Sequence, residues 1–78
     1  LLLSILYLGQ RLYNKYKDAI DKCHVELKKA ASKGQMYKYL NISPPEAVDD
    51  LVFYLREVDG LKVELVEGSP NIITVYFL

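Results

Sequence analysis

One pair of neighbouring residues, Cys23 and His24, combines the side-chain types of a nucleophile and a base. Adjacent residues on a helix point about 100° apart, so the two cannot form a catalytic dyad by adjacency. No third group is placed to orient them, and one cysteine with one histidine gives too few ligands for zinc. We therefore predict a core cysteine beside a histidine at the core boundary, with no metal and no cofactor.

The second half of the chain holds carboxylates that could work as paired acids and bases, namely Glu46, Asp49, Asp50, Glu57 and Asp59. Nothing in the pattern indicates a pocket around them, and acids early in a helix also suit its N-terminus. The chain has no P-loop, no G-x-G-x-x-G and no G-x-S-x-G, so we expect no enzyme. A binding role stays open, in which Glu46, Asp49, Asp50 and Glu57 form an acidic face that docks on a basic protein.

The formal net charge of the 78 residues is zero, but the two halves differ. Residues 1–40 hold eight lysines and arginines against three acids, a net charge of +5. Residues 41–78 hold two against seven, a net charge of −5. Such asymmetry either steers an approaching partner or lets the two halves complement each other within one fold.

A chain of this length forms one small domain, residues 1–78, which gains stability from a partner. The single cysteine excludes an internal disulfide and favours a reducing compartment, so we predict a cytoplasmic location, in the host cell if the protein is viral. Leu1–Leu8 is apolar but far shorter than the roughly 20 residues of a membrane-spanning helix, so we expect no membrane span.

The first 33 residues read as one long amphipathic helix, about 45 Å in length, which is longer than any strand the chain can place beside it. One apolar sector of this helix contains Ile5, Leu12, Tyr16, Ala19, Ile20, Cys23, Leu27, Ala30 and Ala31. Gly9 costs helix stability but permits a close backbone crossing, and Gly34 suits the position after the helix ends.

The start of this helix is apolar on almost every side, which is not expected of a helix with one solvent-exposed face. We predict that it is covered by another chain, either a second copy in a homodimer or an unidentified protein. The predicted protein-binding residues are Leu2, Leu3, Ile5, Leu6, Leu8, Leu12 and Tyr13.

A charged stripe on the same helix suggests an alternative, a small nucleic-acid-binding protein. Its phosphate-binding residues would be Arg11, Lys15, Lys22, Lys29 and Lys33, and Tyr37 and Tyr39 could stack bases. The stripe is interrupted by Asp18 and Glu26 at salt-bridge spacing, which is typical of a solvated helix face.

Residues 34–78 predict a β-α-β-β unit. Met36–Ile42 reads as a strand, and Ser43-Pro44-Pro45-Glu46 reads as a capping box with Pro44 in the first helical position. The helix that follows should end at Asp59-Gly60. Leu61–Leu65 alternates like a half-buried strand, residues 68–71 form a turn, and Ile72–Leu78 is apolar on both faces.

A strand–helix–strand crossover followed by a hairpin has one economical arrangement. The last strand lies between the other two and antiparallel to both, which gives the order 1-3-2 and puts the second helix on one face of the sheet. Apolarity on both faces of Ile72–Leu78 fits that central position. We therefore predict an α+β fold: a long N-terminal helix and a three-stranded sheet packed on helices.

The layout from Ala30 onward is an A-A-x-x-G helix ending (Ala30, Ala31, Gly34), a short strand, a capped helix ending at Gly60, an alternating strand and a final apolar strand. Over the last two-thirds of the chain this resembles small α+β accessory proteins of tailed bacteriophages. The resemblance implies a virion component or a small factor that binds and modulates a host or viral protein, which is interaction and not chemistry.

Overall fold

A computed structural model describes residues 2–77 of the chain, and the side chains from Ser4 to Phe77. The fold is α+β, with helices packed on a three-stranded antiparallel sheet, as predicted. The elements in chain order are α1 (Leu2–Lys15), α2 (Lys17–Ser32), β1 (Tyr37–Asn41), a 3-10 turn (Pro45–Ala47), α3 (Val48–Phe53), a π-helical segment (Tyr54–Val58), β2 (Lys62–Val66) and β3 (Ser69–Tyr76).

The last strand, β3, lies between β1 and β2 and is antiparallel to both, which confirms the predicted order. Its side chains Ile73 and Val75 are fully buried under the helices. Burying a side chain of this size contributes roughly 1.5–3 kcal/mol to stability. Partners in register on the same face, Leu40 in β1 and Val63 in β2, continue the apolar layer outward.

The N-terminal helical stretch is not one straight helix, which corrects the prediction of a 45 Å rod. It bends at Tyr16 (φ −121°, ψ 37°), and the longest dimension of the molecule is 33 Å. The hydrogen bonds from the Tyr16 amide to Leu12 and from the Ile20 amide to Tyr16 persist, so the bend is local. Bending brings α1 against the π-helical segment, where it buries apolar surface that a straight helix would leave exposed to solvent.

The contact between α1 and the π-helical segment is made at Gly9. An added Cβ there would lie 2.6 Å from Cγ2 of Val58, a separation that unbonded carbons do not adopt. Gly9 therefore makes a close contact within the chain, with a side chain of the π-helical segment. On the far side of the bend, the Tyr13 hydroxyl donates to Asp21 Oδ1 at 2.8 Å and so ties α1 to α2.

The start of the second predicted helix differs from the predicted capping box. Pro45, not Pro44, occupies the first helical position, and Ser43 makes no capping hydrogen bond. A residue that precedes proline is sterically kept out of the helical region, so Pro44 is extended (φ −73°, ψ 158°). The end of this helix is as predicted, because Gly60 adopts a positive φ of 71° and the Leu61 amide returns to the Leu55 carbonyl.

The hairpin between β2 and β3 is tighter than the sequence indicated. Val66 pairs with Ser69, so only Glu67 and Gly68 form the turn, and Ser69 and Pro70 belong to β3. Gly68, the second central residue of this turn, has a positive φ of 81°, a conformation that favours glycine. A bulge between Leu65 and Val66 interrupts the pairing of β2.

We predict that Gly9→Ala lowers the free energy of unfolding by about 1–3 kcal/mol, because the new methyl group overpacks the contact with Val58. In a Val58→Ala background the same change should be neutral or stabilising by up to about 1 kcal/mol, since alanine favours the helix. Urea denaturation measures both values. The neighbouring Gln10→Ala, at an exposed position, is the control and should change stability by less than about 0.5 kcal/mol. An equal effect of Gly9→Ala in both backgrounds would contradict the contact.

Candidate protein-binding surface

The helices cover only one face of the sheet. Side chains alternate along a strand, so the register puts Leu40, Ile73 and Val75 on the covered inner face. Tyr37, Tyr39 and Asn41 of β1 therefore lie on the opposite outer face, together with their β3 partners Tyr76, Thr74 and Ile72. The helices pack with side chains of the inner face, whereas Tyr37 and Tyr39 on the outer face are exposed, so no helix among residues 2–77 covers these two tyrosines.

Three tyrosines lie together on the outer face, and we call Tyr37, Tyr39 and Tyr76 the tyrosine face. The rings of Tyr37 and Tyr39 meet edge to face with centroids 5.5 Å apart, and Tyr37 lies 6.3 Å from Tyr76. Tyr37 is 49% exposed and Tyr39 57% exposed. These large rings support one another and still present much of their surface to solvent.

Charges at the tyrosine face cancel. The Tyr76 hydroxyl donates to Glu64 Oε1 at 2.8 Å, and the Lys62 ammonium lies 5.1 Å from the centre of the Tyr76 ring. The hydrogen bond to Glu64 raises the pKa of the Tyr76 hydroxyl. One lysine and one glutamate border the tyrosine face, so their charges cancel and this aromatic surface has no net charge.

A cleft of about 410 Å³ lies beside β1, between that strand and α2. Its apolar lining is formed by Ala19, Cys23, Leu40, Ile42 and Leu51. Its rim carries two carboxylates and one ammonium, from Asp18, Glu26 and Lys22 of α2. A second, more open depression follows the first half of β1, is lined by residues 35–39, and shares Tyr39 with the cleft.

The predicted homodimer residues on α1 separate into two groups. Leu6 and Leu8 are exposed, at 57% and 43%, and Ile5 is half-buried. Leu12 and Tyr13 are half-buried and pack against the core of their own chain. The predictions for Leu2 and Leu3 fall on side chains outside the described range.

The predicted basic stripe is divided by the bend. Arg11 and Lys15 lie on α1, Lys22 and Lys29 lie on α2, and Lys33 follows the end of α2. All five side chains are exposed, but they belong to the helices that cover the inner face of the sheet. The structure therefore does not bring the basic stripe together with the tyrosines that were to stack bases.

The predicted acidic face is partly engaged within the chain. Glu46, Asp49 and Glu57 are exposed. Asp50 is half-buried and accepts a hydrogen bond of 3.2 Å from the Tyr16 hydroxyl, which joins α3 to the bend. Asp59 Oδ2 lies 2.7 Å from His24 Nε2.

The Cys23–His24 pair is divided in the way the helix geometry predicts. Cys23 is buried in the core, and that burial raises the pKa of its thiol to about 11. His24 points to Asp59 instead. Between residues 2 and 77, no three His, Cys, Asp or Glu side chains come close enough to hold a metal ion. None of the helices in that range is long and apolar enough to cross a membrane.

Sequence reasoning did not select the half-buried Tyr76 of the tyrosine face or the exposed Tyr7 of α1 as binding residues. The predicted strand order 1-3-2 was enough to place the last strand, and with it Tyr76, beside β1. The register of that strand on β1, which decides the neighbours of Tyr76, could not be derived from the sequence. Tyr7 is 63% exposed on α1, where Arg11 lies 5.8 Å from the centre of its ring. Comparisons with protein-family models, curated proteins and solved structures found no match for this chain.

We predict that the free energy of unfolding of the parent protein falls as the pH rises from about 9 to about 11, and that Cys23→Ala reduces this fall. The folded state keeps the thiol proton that the unfolded state loses, so stability present below the ordinary pKa of 9.0 is lost as the pH passes about 11. Tyr13, Tyr54 and Tyr76, whose pKa values are also raised, contribute equally to both proteins. Urea denaturation over this pH range measures the difference, and identical pH dependence in the two proteins would contradict the assignment.

Proposed function

We propose that this chain is a non-enzymatic protein-binding module that acts through its tyrosine face. The observation that carries the proposal is that Tyr37, Tyr39 and Tyr76 lie together on a sheet face which no helix between residues 2 and 77 covers. A chain of 78 residues has little apolar area to spare, and three large rings grouped outside its core form a contiguous patch of the kind that marks a protein contact.

Tyrosine suits a protein contact for physical reasons. Its ring buries a large area with only two rotatable bonds, and its hydroxyl satisfies a hydrogen bond at the rim of an interface. Tyrosine is accordingly enriched among the residues whose truncation costs most binding energy. Because Lys62 and Glu64 cancel, the partner surface that fits is flat, weakly charged and able to accept hydrogen bonds from Tyr37 and Tyr39.

The partner class follows from the resemblance to phage accessory proteins, which implies a host or viral protein. A virion structural component is the variant of this proposal in which the partner is part of the particle. In both cases the chain acts by contact and self-association, and the exposed Leu6, Tyr7 and Leu8 of α1 offer a second apolar contact.

A nucleic-acid-binding role is the second candidate, and the same tyrosines favour it, since exposed aromatic rings on a sheet can stack bases. The charge pattern weighs against it. Single-stranded nucleic acid needs a positive groove along its phosphates, whereas Lys62 next to the tyrosine face is offset by Glu64. Lys38 lies on the inner face, where its ammonium is 3.9 Å from the Glu26 carboxylate.

For the protein-binding role, we predict that the double variant Tyr37→Ser, Tyr76→Ser loses proteins that the immobilised parent chain captures from a bacterial lysate. The tyrosine rings supply the buried contact area, so their removal should weaken capture about 10-fold or more. Val25→Ser is the control, because it removes an exposed apolar side chain from α2 and leaves both the tyrosine face and the contact on α1 unchanged. Quantitative mass spectrometry compares the three samples. Equal capture by the parent and the double variant would overturn the role of the tyrosine face.

For the nucleic-acid role, we predict no measurable change in fluorescence anisotropy of labelled single-stranded DNA or RNA, even at low salt. A nucleic-acid binder would bind there and lose affinity steeply as salt is added. If binding is observed, Lys22→Glu with Lys29→Glu separates the two candidate surfaces, since this change abolishes binding only if the basic stripe holds the phosphates. Salt-sensitive binding that these changes abolish would favour the alternative over the protein-binding role.

A further inference from the structure

The two edges of the sheet differ in whether their outward backbone groups have hydrogen-bond partners. The Phe77 amide donates to the Met36 carbonyl at 2.9 Å, and the Ile42 amide donates to the Asn71 carbonyl at 2.7 Å. Backbone groups alternate in direction along an antiparallel strand, so the even-numbered residues of β1 face β3. The amides and carbonyls of Tyr37, Tyr39 and Asn41 therefore point outward, and no group between residues 2 and 77 bonds to them.

The opposite edge, on β2, is protected. The same alternation turns the backbone of Val63 and Leu65 outward, and the Arg56 side chain donates to the Val63 carbonyl, with Nε at 3.0 Å. The bulge at Leu65 and Val66 then ends the regular edge. Charges and bulges of this kind are the usual means by which proteins stop strands from adding to an edge. In β1 all five residues pair in unbroken register, and Lys38 is the only charged side chain.

We infer that a second copy of this chain adds to the free edge of β1, antiparallel, with Tyr39 on the two-fold axis. This inference rests on the proposed function, in that the chain works by protein contact, and it names the first partner. The outward residues are symmetric about Tyr39, so Tyr37 of one copy pairs with Asn41 of the other, and Tyr39 pairs with Tyr39. The two sheets become one sheet of six strands.

The cleft beside β1 fits the side chains that a second copy brings. In this register Lys38 of the second copy lies opposite Leu40, next to the apolar lining of the cleft. The rim carries two carboxylates, Asp18 and Glu26, and the ammonium of Lys22. Glu26 already lies 3.9 Å from the ammonium of the chain's own Lys38, so Asp18 is the carboxylate that meets the incoming lysine. The aliphatic stem of that lysine covers the apolar lining while its ammonium reaches the rim.

Pairing through β1 also enlarges the proposed binding surface. An axis perpendicular to the sheet keeps both helical layers on one side and both tyrosine faces on the other. The two copies of Tyr39 become neighbours at the centre, and one continuous surface then carries six tyrosines. The dimer therefore presents twice the aromatic area that one chain presents, without adding net charge.

The test uses the full chain and a proline at each edge. Tyr39→Pro removes the outward amide and leaves the bonds to β3, so sedimentation equilibrium should show the dimer of the parent weakened about 10- to 100-fold. Leu65→Pro removes an outward amide at the protected edge, from a residue that is 60% exposed, and should leave the dimer unchanged. Circular dichroism melts verify that both variants fold.

A cross-link tests the register without depending on the proline variants. Residues that exchange both backbone hydrogen bonds have Cα atoms about 5.5 Å apart, which suits a disulfide. In a Cys23→Ala background, Tyr39→Cys should form a disulfide-linked dimer under mild oxidation, and Leu65→Cys should not. A parent chain that stays monomeric, equal effects of the two prolines, or cross-linking at position 65 alone would overturn the inference.

These failures are separable from failure of the proposed function. If the parent chain is a monomer but its capture of other proteins depends on Tyr37 and Tyr76, the protein-binding role stands and the inferred dimer does not. If the chain dimerises, but Tyr39→Pro does not weaken the dimer and position 39 does not cross-link, then the β1 edge is not the interface. The protein-binding role still stands in that case. Loss of tyrosine-dependent capture alongside a β1 dimer would remove the proposed role for outside partners.

Discussion

The burial of Ile73 and Val75 in β3 is the contact on which the rest of the structure depends. Both side chains are fully buried on the inner face of a strand that pairs on both sides. Core side chains of α2, α3 and the π-helical segment cover them on that face. The remaining helix, α1, packs on the π-helical segment and α2, which leaves no helix among residues 2–77 for the other face. The exposure of Tyr37 and Tyr39, beside the half-buried Tyr76, is therefore a consequence of how the core is built.

The same constraint decides the path of the N-terminal helices. A straight helix would carry Leu12 and Tyr13 past the edge of a small sheet, so the chain bends at Tyr16 and returns α1 to the π-helical segment. The missing side chain of Gly9 permits that approach, and hydrogen bonds from Tyr13 and Tyr16 to Asp21 and Asp50 hold both sides of the bend. Surface that a dimer through α1 would have buried is thus partly buried within one chain.

Much of the fold was predictable because it follows from local patterns with few solutions. Alternation in β2, apolarity on both faces of β3 and a single crossover leave the order β1-β3-β2 as the economical choice, and the structure has it. The bend at Tyr16 was not predictable, since no proline or glycine marks it and the apolar sector continues through it. It accompanies a tertiary contact, the packing of Gly9 on Val58, which the sequence does not indicate. The capping box failed for a steric reason, because Pro45 keeps Pro44 extended.

The candidate site was predictable only in part. Tyr37 and Tyr39 were recognisable as aromatic residues of a strand, but Tyr76 joins them through the register of β1 on β3, which depends on where the hairpin turns. The sequence also did not show that the outward backbone groups of the β1 edge lack hydrogen-bond partners within residues 2–77. This rests on which backbone groups face β3, and on Arg56 reaching the Val63 carbonyl at the other edge.

Amide hydrogen exchange, followed residue by residue by NMR at several protein concentrations, tests the central claim most directly. The Tyr39 amide points away from β3, so in a single chain it exchanges freely, while the Leu40 amide is held within the sheet. If a second copy covers the β1 edge, the Tyr39 amide becomes protected as concentration rises, and the Leu65 amide at the opposite edge does not. Fast exchange of the Tyr39 amide at every concentration, beside a protected Leu40 amide, would contradict the account.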